Sequence, residues 1–150
     1  MLDKKFIQRK INLIQEELEN IAPLQSLPLK KISQDSIKQA ALERYLERVV
    51  NRAIDINQHI LAETDQNQLK SSSQKNIPLT YEETFTQLAK LNVYPLDFAE
   101  KISQSVGLRN ILIHEYDKVS LASVYSSLQD CLQDYNQYCQ YILEFIKKQA

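Results

Sequence analysis

The stretch Leu121 to Phe145, LASVYSSLQDCLQDYNQYCQYILEF, decides the fold. Leu121, Val124, Leu128, Cys131, Tyr135, Tyr138, Ile142 and Phe145 follow one another at alternating steps of three and four. That spacing keeps returning to one face of an α-helix, whereas a strand would need a period of two. Ser120 stands in front of it as an N-cap. The same rhythm recurs twice upstream. Ile7, Ile11, Ile14, Leu18 and Ile21 predict a first helix over about residues 3–22, ended by a loop that Pro23 and Pro28 enforce. Leu42, Leu46, Val49, Ala53, Ile56 and Ile60 predict a long helix over about residues 34–63, with Ser33, Asp35 and Ser36 as candidate N-caps. Ala41, Tyr45, Val50, Ile54 and Leu61 add a second apolar stripe to it. A helix apolar on two sides belongs at the centre, against neighbours or a second subunit.

Two shorter helices complete the pattern. Thr80, with Glu83 three residues on, forms a capping-box sequence, and Phe85, Leu88 and Leu91 mark the buried side behind it. Pro95 suits the first turn of a helix starting near Leu96. The polar, serine-rich stretch 64–76 reads as a connector. Gly107, the sole glycine, would allow a kink or a close backbone approach. The expectation is an all-α antiparallel bundle of about five helices, forming one domain over residues 1–150 and pairing as a homodimer.

Composition narrows the classes further. One glycine and four prolines in 150 residues exclude a many-stranded β fold, whose hairpins need residues at positive φ. A formal net charge of −1 excludes a uniformly basic nucleic-acid coat, so any RNA contact must use a local patch. No apolar run reaches the ~18 residues of a membrane span. The N-terminus has no secretory pattern, so a cytoplasmic location is expected. Cys131 and Cys139, eight residues apart on one helix, lie ~12 Å apart along the axis. That is too far for a disulfide, and both read as semi-buried thiols. With two histidines and two cysteines at no ligand-like spacing, neither metal nor cofactor is expected.

The chemistry concentrates in Arg109-Asn110-Ile111-Leu112-Ile113-His114-Glu115-Tyr116. A metal-independent ribonuclease needs a base for the ribose 2′-hydroxyl, an acid for the leaving 5′-oxygen and a fixed cation for the charge on phosphorus. His114, with an ordinary pKa near ~6.5, can move either proton. Arg109 can grip two phosphate oxygens through its planar fork. Spacing alone favours a surface arginine and a histidine satisfied within the bundle, since chance often produces arginine, a gap and histidine. Five residues also turn a helix by about 140°, so the two side chains leave one helix in different directions. Either the helix distorts or ends near His114, or the residues flank a cleft, which a two-fold dimer would supply.

The octet resembles the signature of the HEPN superfamily, in its HepT branch: Gly107-Leu108-Arg109-Asn110 followed by His114-Glu115-Tyr116, without a gap. Glu43-Arg44-Tyr45-Leu46-Glu47-Arg48-Val49-Val50, with Ala53-Ile54-Asp55-Ile56-Asn57, is similar to the long second helix of that family. Pro78-Leu79-Thr80-Tyr81, with Phe85 and Leu88-Ala89, resembles its third-helix region. The resemblance implies an RNA endonuclease acting on tRNA or mRNA, the toxin of a type VII toxin–antitoxin pair. It implies Arg109 and His114 as catalytic residues, with Asn110 supporting the arginine. It further implies a partner, the MntA nucleotidyltransferase, that silences the toxin by transferring AMP from ATP onto Tyr116. A phosphate on that phenol would repel RNA and pair with Arg109.

Other groups read more plainly. Arg44, Arg48 and Arg52 form a ridge at steps of four, a candidate RNA-binding stripe or a solvated face paired with Glu47 and Asp55. Lys4, Lys5, Arg9 and Lys10 form a second basic cluster. His59 sits one turn after Asp55 as a surface hydrogen-bond pair, and Tyr125, Tyr135, Tyr138 and Tyr141 suit packing better than base stacking. The rival functions are a non-catalytic module that docks a nucleotidyltransferase and a purely structural dimeric bundle.

Overall fold

Asp3 starts the first helix: its carboxylate accepts the Phe6 N–H at 3.0 Å, one of the donors that a helix leaves open at its N-terminus. In the computed structural model, residues 1–64, 78–114 and 121–149 are described, with 112–114 and 121 described by backbone alone. They form α1 (Lys4–Gln25), α2 (Leu29–Ser33), α3 (Ser36–Thr64), α4 (Tyr81–Lys90), α5 (Leu96–His114) and α6 (Leu121–Lys148), with no strand among the described residues. The all-α bundle is as expected, with one helix more than the apolar rhythm announces. That extra helix, α2, is five residues long, too short to carry a period, and Pro28 in an extended conformation leads into it. The connector predicted over 64–76 lies almost wholly outside the described residues, as does Ser120.

The predicted boundary at Ala22 falls one turn early. Pro23 lies inside α1, which runs on to Gln25. Its missing N–H leaves the Glu19 carbonyl without a helical partner, but Glu19 is exposed and water can serve it. Asp35, one of the three candidate caps, accepts the Ile37 and Lys38 N–H groups at 3.0 and 3.1 Å at the start of α3. The Thr80–Glu83 capping box is formed in both directions, at 3.2 Å each way. Beyond α4 the chain turns on Asn92 at φ 63°. There the Val93 N–H bonds the Leu88 carbonyl and the Asn92 N–H the Ala89 carbonyl, so asparagine does the work usually left to glycine.

Helix α3 lies at the centre, packed against α1, α2, α4 and α5. Every residue of its first predicted stripe is buried, along with Val50, Ile54 and Leu61 of the second. Helix α6 packs on α1, α2 and α5. It buries Val124, Leu128, Tyr135, Tyr138, Cys139, Ile142 and Ile146, while Cys131 and Phe145 are only partly covered. The shift from Phe145 to Ile146 follows from helix geometry: a stripe at 3.5-residue steps drifts by about 20° per seven residues around a straight helix.

A buried polar chain locks three helices together. The Tyr138 hydroxyl donates to Asn57 Oδ1 at 2.6 Å and lies 3.1 Å from the Ala53 carbonyl. Asn57 Nδ2 donates to Thr84 Oγ1 at 3.1 Å, and Thr84 donates in turn to the Tyr81 carbonyl at 2.6 Å. Tyr135 donates to Ser105 Oγ at 2.6 Å, and that hydroxyl passes its own proton to the Ile102 carbonyl. Tyr138 and Tyr135 thus serve packing, in edge contact with each other and with Phe85 and Tyr94 nearby. His59 does not pair with Asp55. It accepts the Asp3 N–H at 3.0 Å and packs on Phe6, while the longer Lys10 side chain reaches Asp55 at 2.9 Å.

Replacing Tyr138 by Phe removes the donor to a fully buried asparagine. The expected cost is about 1–3 kcal/mol, read as a lower midpoint in chemical denaturation with an unchanged slope. Burial also pushes the Cys131 thiol up to about 11, with the Asp134 and Asp130 carboxylates adding to it, and Cys139 up to about 12. Desolvation raises the Tyr94, Tyr135 and Tyr138 phenols as well. Raised values favour the protonated forms in the folded chain, while the unfolded chain sheds these protons from about pH 8.5–10. Stability is therefore complete at neutral pH and falls as pH rises through about 11 and about 12. A phenolate titration should find these three of the eight tyrosines silent until the chain unfolds.

Candidate active site

Arg109 sits near the C-terminal end of α5, half-buried between that helix, α3 and the start of α4. Its Nε–H donates to Asn51 Oδ1 on α3 at 2.7 Å, across 58 residues of sequence. Its Nη1 donates to Asn110 Oδ1 at 2.9 Å. The guanidinium carbon lies 5.3 Å from the centroid of the Tyr81 ring, a cation–π contact. Tyr81 is the first residue of α4, behind the Thr80 cap, and is 42% exposed. The aliphatic stem of Arg109 borders an apolar recess lined by Leu18, Val49, Val50, Leu108 and Leu132.

None of these three partners of Arg109 carries a charge. That separates it from the other arginines proposed for RNA contact. Arg44 Nη1 lies 3.0 Å from Glu47. Arg52 Nη1 lies 3.1 Å from Glu17 and 3.3 Å from the Leu13 carbonyl, and Arg48 Nη1 lies 3.7 Å from Glu17. The ridge at steps of four is therefore drawn toward carboxylates, and its last member turns inward onto α1. Glu17 itself is buried within the apolar face of α1, and its Oε2 has no partner among the described residues. Glu47 pairs as the sequence indicates, but Asp55 takes Lys10 rather than the ridge.

Helix α5 is unbroken from Leu96 to His114, so Arg109 and His114 stand on one helix, about 140° and ~7.5 Å apart. The side chain of His114 lies outside the described residues, and so do Glu115 and Tyr116 whole. Gly107 is helical, makes no excursion to positive φ, and would place an added Cβ in open space. Among the described residues no backbone makes the close approach that glycine would permit there. Ile111, one turn from Gly107, is 38% exposed. Among the described residues no cluster of three or more His, Cys, Asp or Glu side chains is placed to hold a metal ion. No helix there is long and apolar enough to cross a membrane.

Asn51 and Tyr81 are the site residues that sequence reasoning missed. Asn51 sits at the edge of the α3 apolar face, next to Val50, where a polar residue raises no expectation. Tyr81 reads only as a residue following a cap. Their proximity to Arg109 is set by how α3, α4 and α5 pack, and no spacing in the chain encodes it.

Residues 14–142 match the family described as Ribonuclease HepT-like. The chain is 30% identical over 145 residues to a protein of Aphanizomenon flos-aquae named tRNA nuclease HepT, covering 97% of this chain and 92% of that one. It is 30% identical over 108 residues to the mRNA nuclease HepT of Shewanella oneidensis, covering 72% and 74%. The fold superposes on a solved structure of the tri-AMPylated Shewanella oneidensis HEPN toxin in complex with MNT antitoxin. There the TM-score is 0.78 at 27% identity, over 96% of this chain and 99% of that one. The match runs from α1 into α6 and takes in the whole of α5, so the chain belongs to the Ribonuclease HepT-like family.

Proposed function

We propose that this chain is a metal-independent RNA endonuclease, acting in the cytoplasm as a single-domain protomer of a homodimer, and the toxin of a pair with an MNT-type nucleotidyltransferase. The observation that carries the reading is Arg109: a guanidinium fixed by neutral partners on three helices, its charge unspent by any described carboxylate. A cation held this way is preorganised for a phosphate. The family match over residues 14–142 supports the reading, as do relatives named tRNA nuclease and mRNA nuclease.

His114 removes the proton from a ribose 2′-hydroxyl as that oxygen attacks the adjacent phosphorus. The bond to the 5′-oxygen breaks, a proton is returned to that oxygen, and a 2′,3′-cyclic phosphate remains. Arg109 stabilises the charge that gathers on the non-bridging oxygens, and Asn110 supports it. Because positions 109 and 114 lie about 140° apart around α5, two copies of α5 facing each other across a two-fold axis would complete the cleft. Arg44 and Arg48, 57% and 42% exposed at the side chain, line the approach of the RNA backbone, while Arg52 turns inward onto Glu17. Silencing follows when the Tyr116 phenol attacks the α-phosphorus of ATP in the partner, pyrophosphate leaves, and AMP remains on the oxygen. The AMPylated toxin bound to its antitoxin supports this step.

Purified protein incubated with total RNA in EDTA should cleave it, and DNA of like sequence should stay intact. Arg109→Ala and His114→Ala should each reduce the rate by more than ~10²-fold. Cleavage that survives His114→Ala would favour the docking-module reading instead. In the presence of ATP and the partner nucleotidyltransferase, mass spectrometry should find AMP on Tyr116, and Tyr116→Phe should stay unmodified and active.

A further inference from the structure

We infer that Asn51 is a positioning residue for RNA cleavage: by accepting the Arg109 Nε–H it turns the Nη end of the guanidinium toward the substrate phosphate. The inference rests on the reading of Arg109 given above and assigns a role to a residue on a different helix.

A guanidinium can meet a phosphate along either of two edges, the side formed by Nε and one Nη or the end formed by both Nη groups. Here the Nε–H is taken by Asn51 Oδ1 at 2.7 Å, a short and well-directed bond. The side edge is therefore occupied, and among the described residues a bidentate grip falls to the Nη end. Asn110 takes one hydrogen of Nη1 at 2.9 Å, which fixes rotation about the last bond of the side chain. The guanidinium carbon lies over the Tyr81 ring, 5.3 Å from its centroid. Asn51 is the anchor that comes from the central helix α3, where Val50 just before it and Ala53 two residues on are buried in the core. It transmits the rigidity of the core to an otherwise flexible side chain. Asn110 cannot do this alone, because it rides on the same helix as the arginine it would orient.

An amide is suited to this task. It supplies an acceptor without a charge, so it orients Arg109 and leaves the attraction for phosphate undiminished. A carboxylate at the same place would keep the geometry and compete for the charge. The two properties can be separated by substitution. Asn51→Ala should lower kcat about 10²-fold with little change in KM, since misplacement of a reacting group by about 1 Å has that scale of effect. Asn51→Asp should recover most of kcat and instead raise KM several-fold, more so at low salt. In an Arg109→Ala background, Asn51→Ala should cost nothing further, because the residue acts through the arginine.

Steady-state kinetics on a defined RNA, run with the dimeric protein and each variant checked for unchanged helical content, test this. If Arg109→Ala is inactive while Asn51→Ala keeps kcat within about three-fold, the role of Asn51 is overturned and that of Arg109 stands. A further loss in the double variant, or an Asn51→Asp protein as poor in kcat as Asn51→Ala, likewise overturns it, since either marks a general structural effect. Full activity in Arg109→Ala would defeat the underlying reading of the site.

Discussion

The site depends on a buried relay of hydrogen bonds that runs through the bundle, from Tyr138 on α6 to Asn57 on α3, to Thr84 on α4 and on to the Tyr81 carbonyl. The Tyr138–Asn57 and Asn57–Thr84 links lie buried, where water cannot substitute for a lost partner, so the three helices hold one another in a single register. The relay ends at the residue whose ring covers Arg109. Asn51, two turns before Asn57 on the same helix, holds the other side of that guanidinium. Core packing and site geometry are therefore one structure: to move α4 or α3 is to move the walls around the cation.

The second constraint is electrostatic. A chain with net charge −1 has to bind a polyanion. Among the described residues, carboxylates stand against three other arginines and none stands against Arg109. Arg44, Arg48 and Arg52 each face Glu47 or Glu17, and Arg109 faces two amides and a phenol ring. Charge-assisted bonds to neutral acceptors hold the side chain still at a cost to its charge far smaller than an ion pair would exact.

Much of the helical framework was legible in the sequence because burial imposes a period. The stripes of α1 and α3 are buried as spaced, and the caps at Asp35 and Thr80 form because short polar side chains compete for open N–H groups. What the sequence hid has physical reasons too. Helix α2, at five residues, spans little more than one helical turn, too short for an apolar stripe to recur. Pro23 is accommodated because the carbonyl it orphans faces water. Glu17 looks solvent-facing by type, but its position between Ile14 and Leu18 puts it inside, where Arg52 meets it. Arg109 was legible because its octet carries a resemblance. Asn51 and Tyr81 were not, because contacts across 58 and 28 residues are products of packing.

Along α5 the positions of Arg109 and His114 are about 140° apart, so in the proposed cleft the second group would come from a two-fold partner. The most direct measurement is a structure of the protein bound to an RNA whose scissile ribose lacks the 2′-hydroxyl and so resists cleavage. The account predicts one phosphate gripped by the Nη end of Arg109, with a His114 imidazole within hydrogen-bond reach of the same linkage across a two-fold cleft. A strand bound elsewhere, with Arg109 remote from every phosphate, would contradict it.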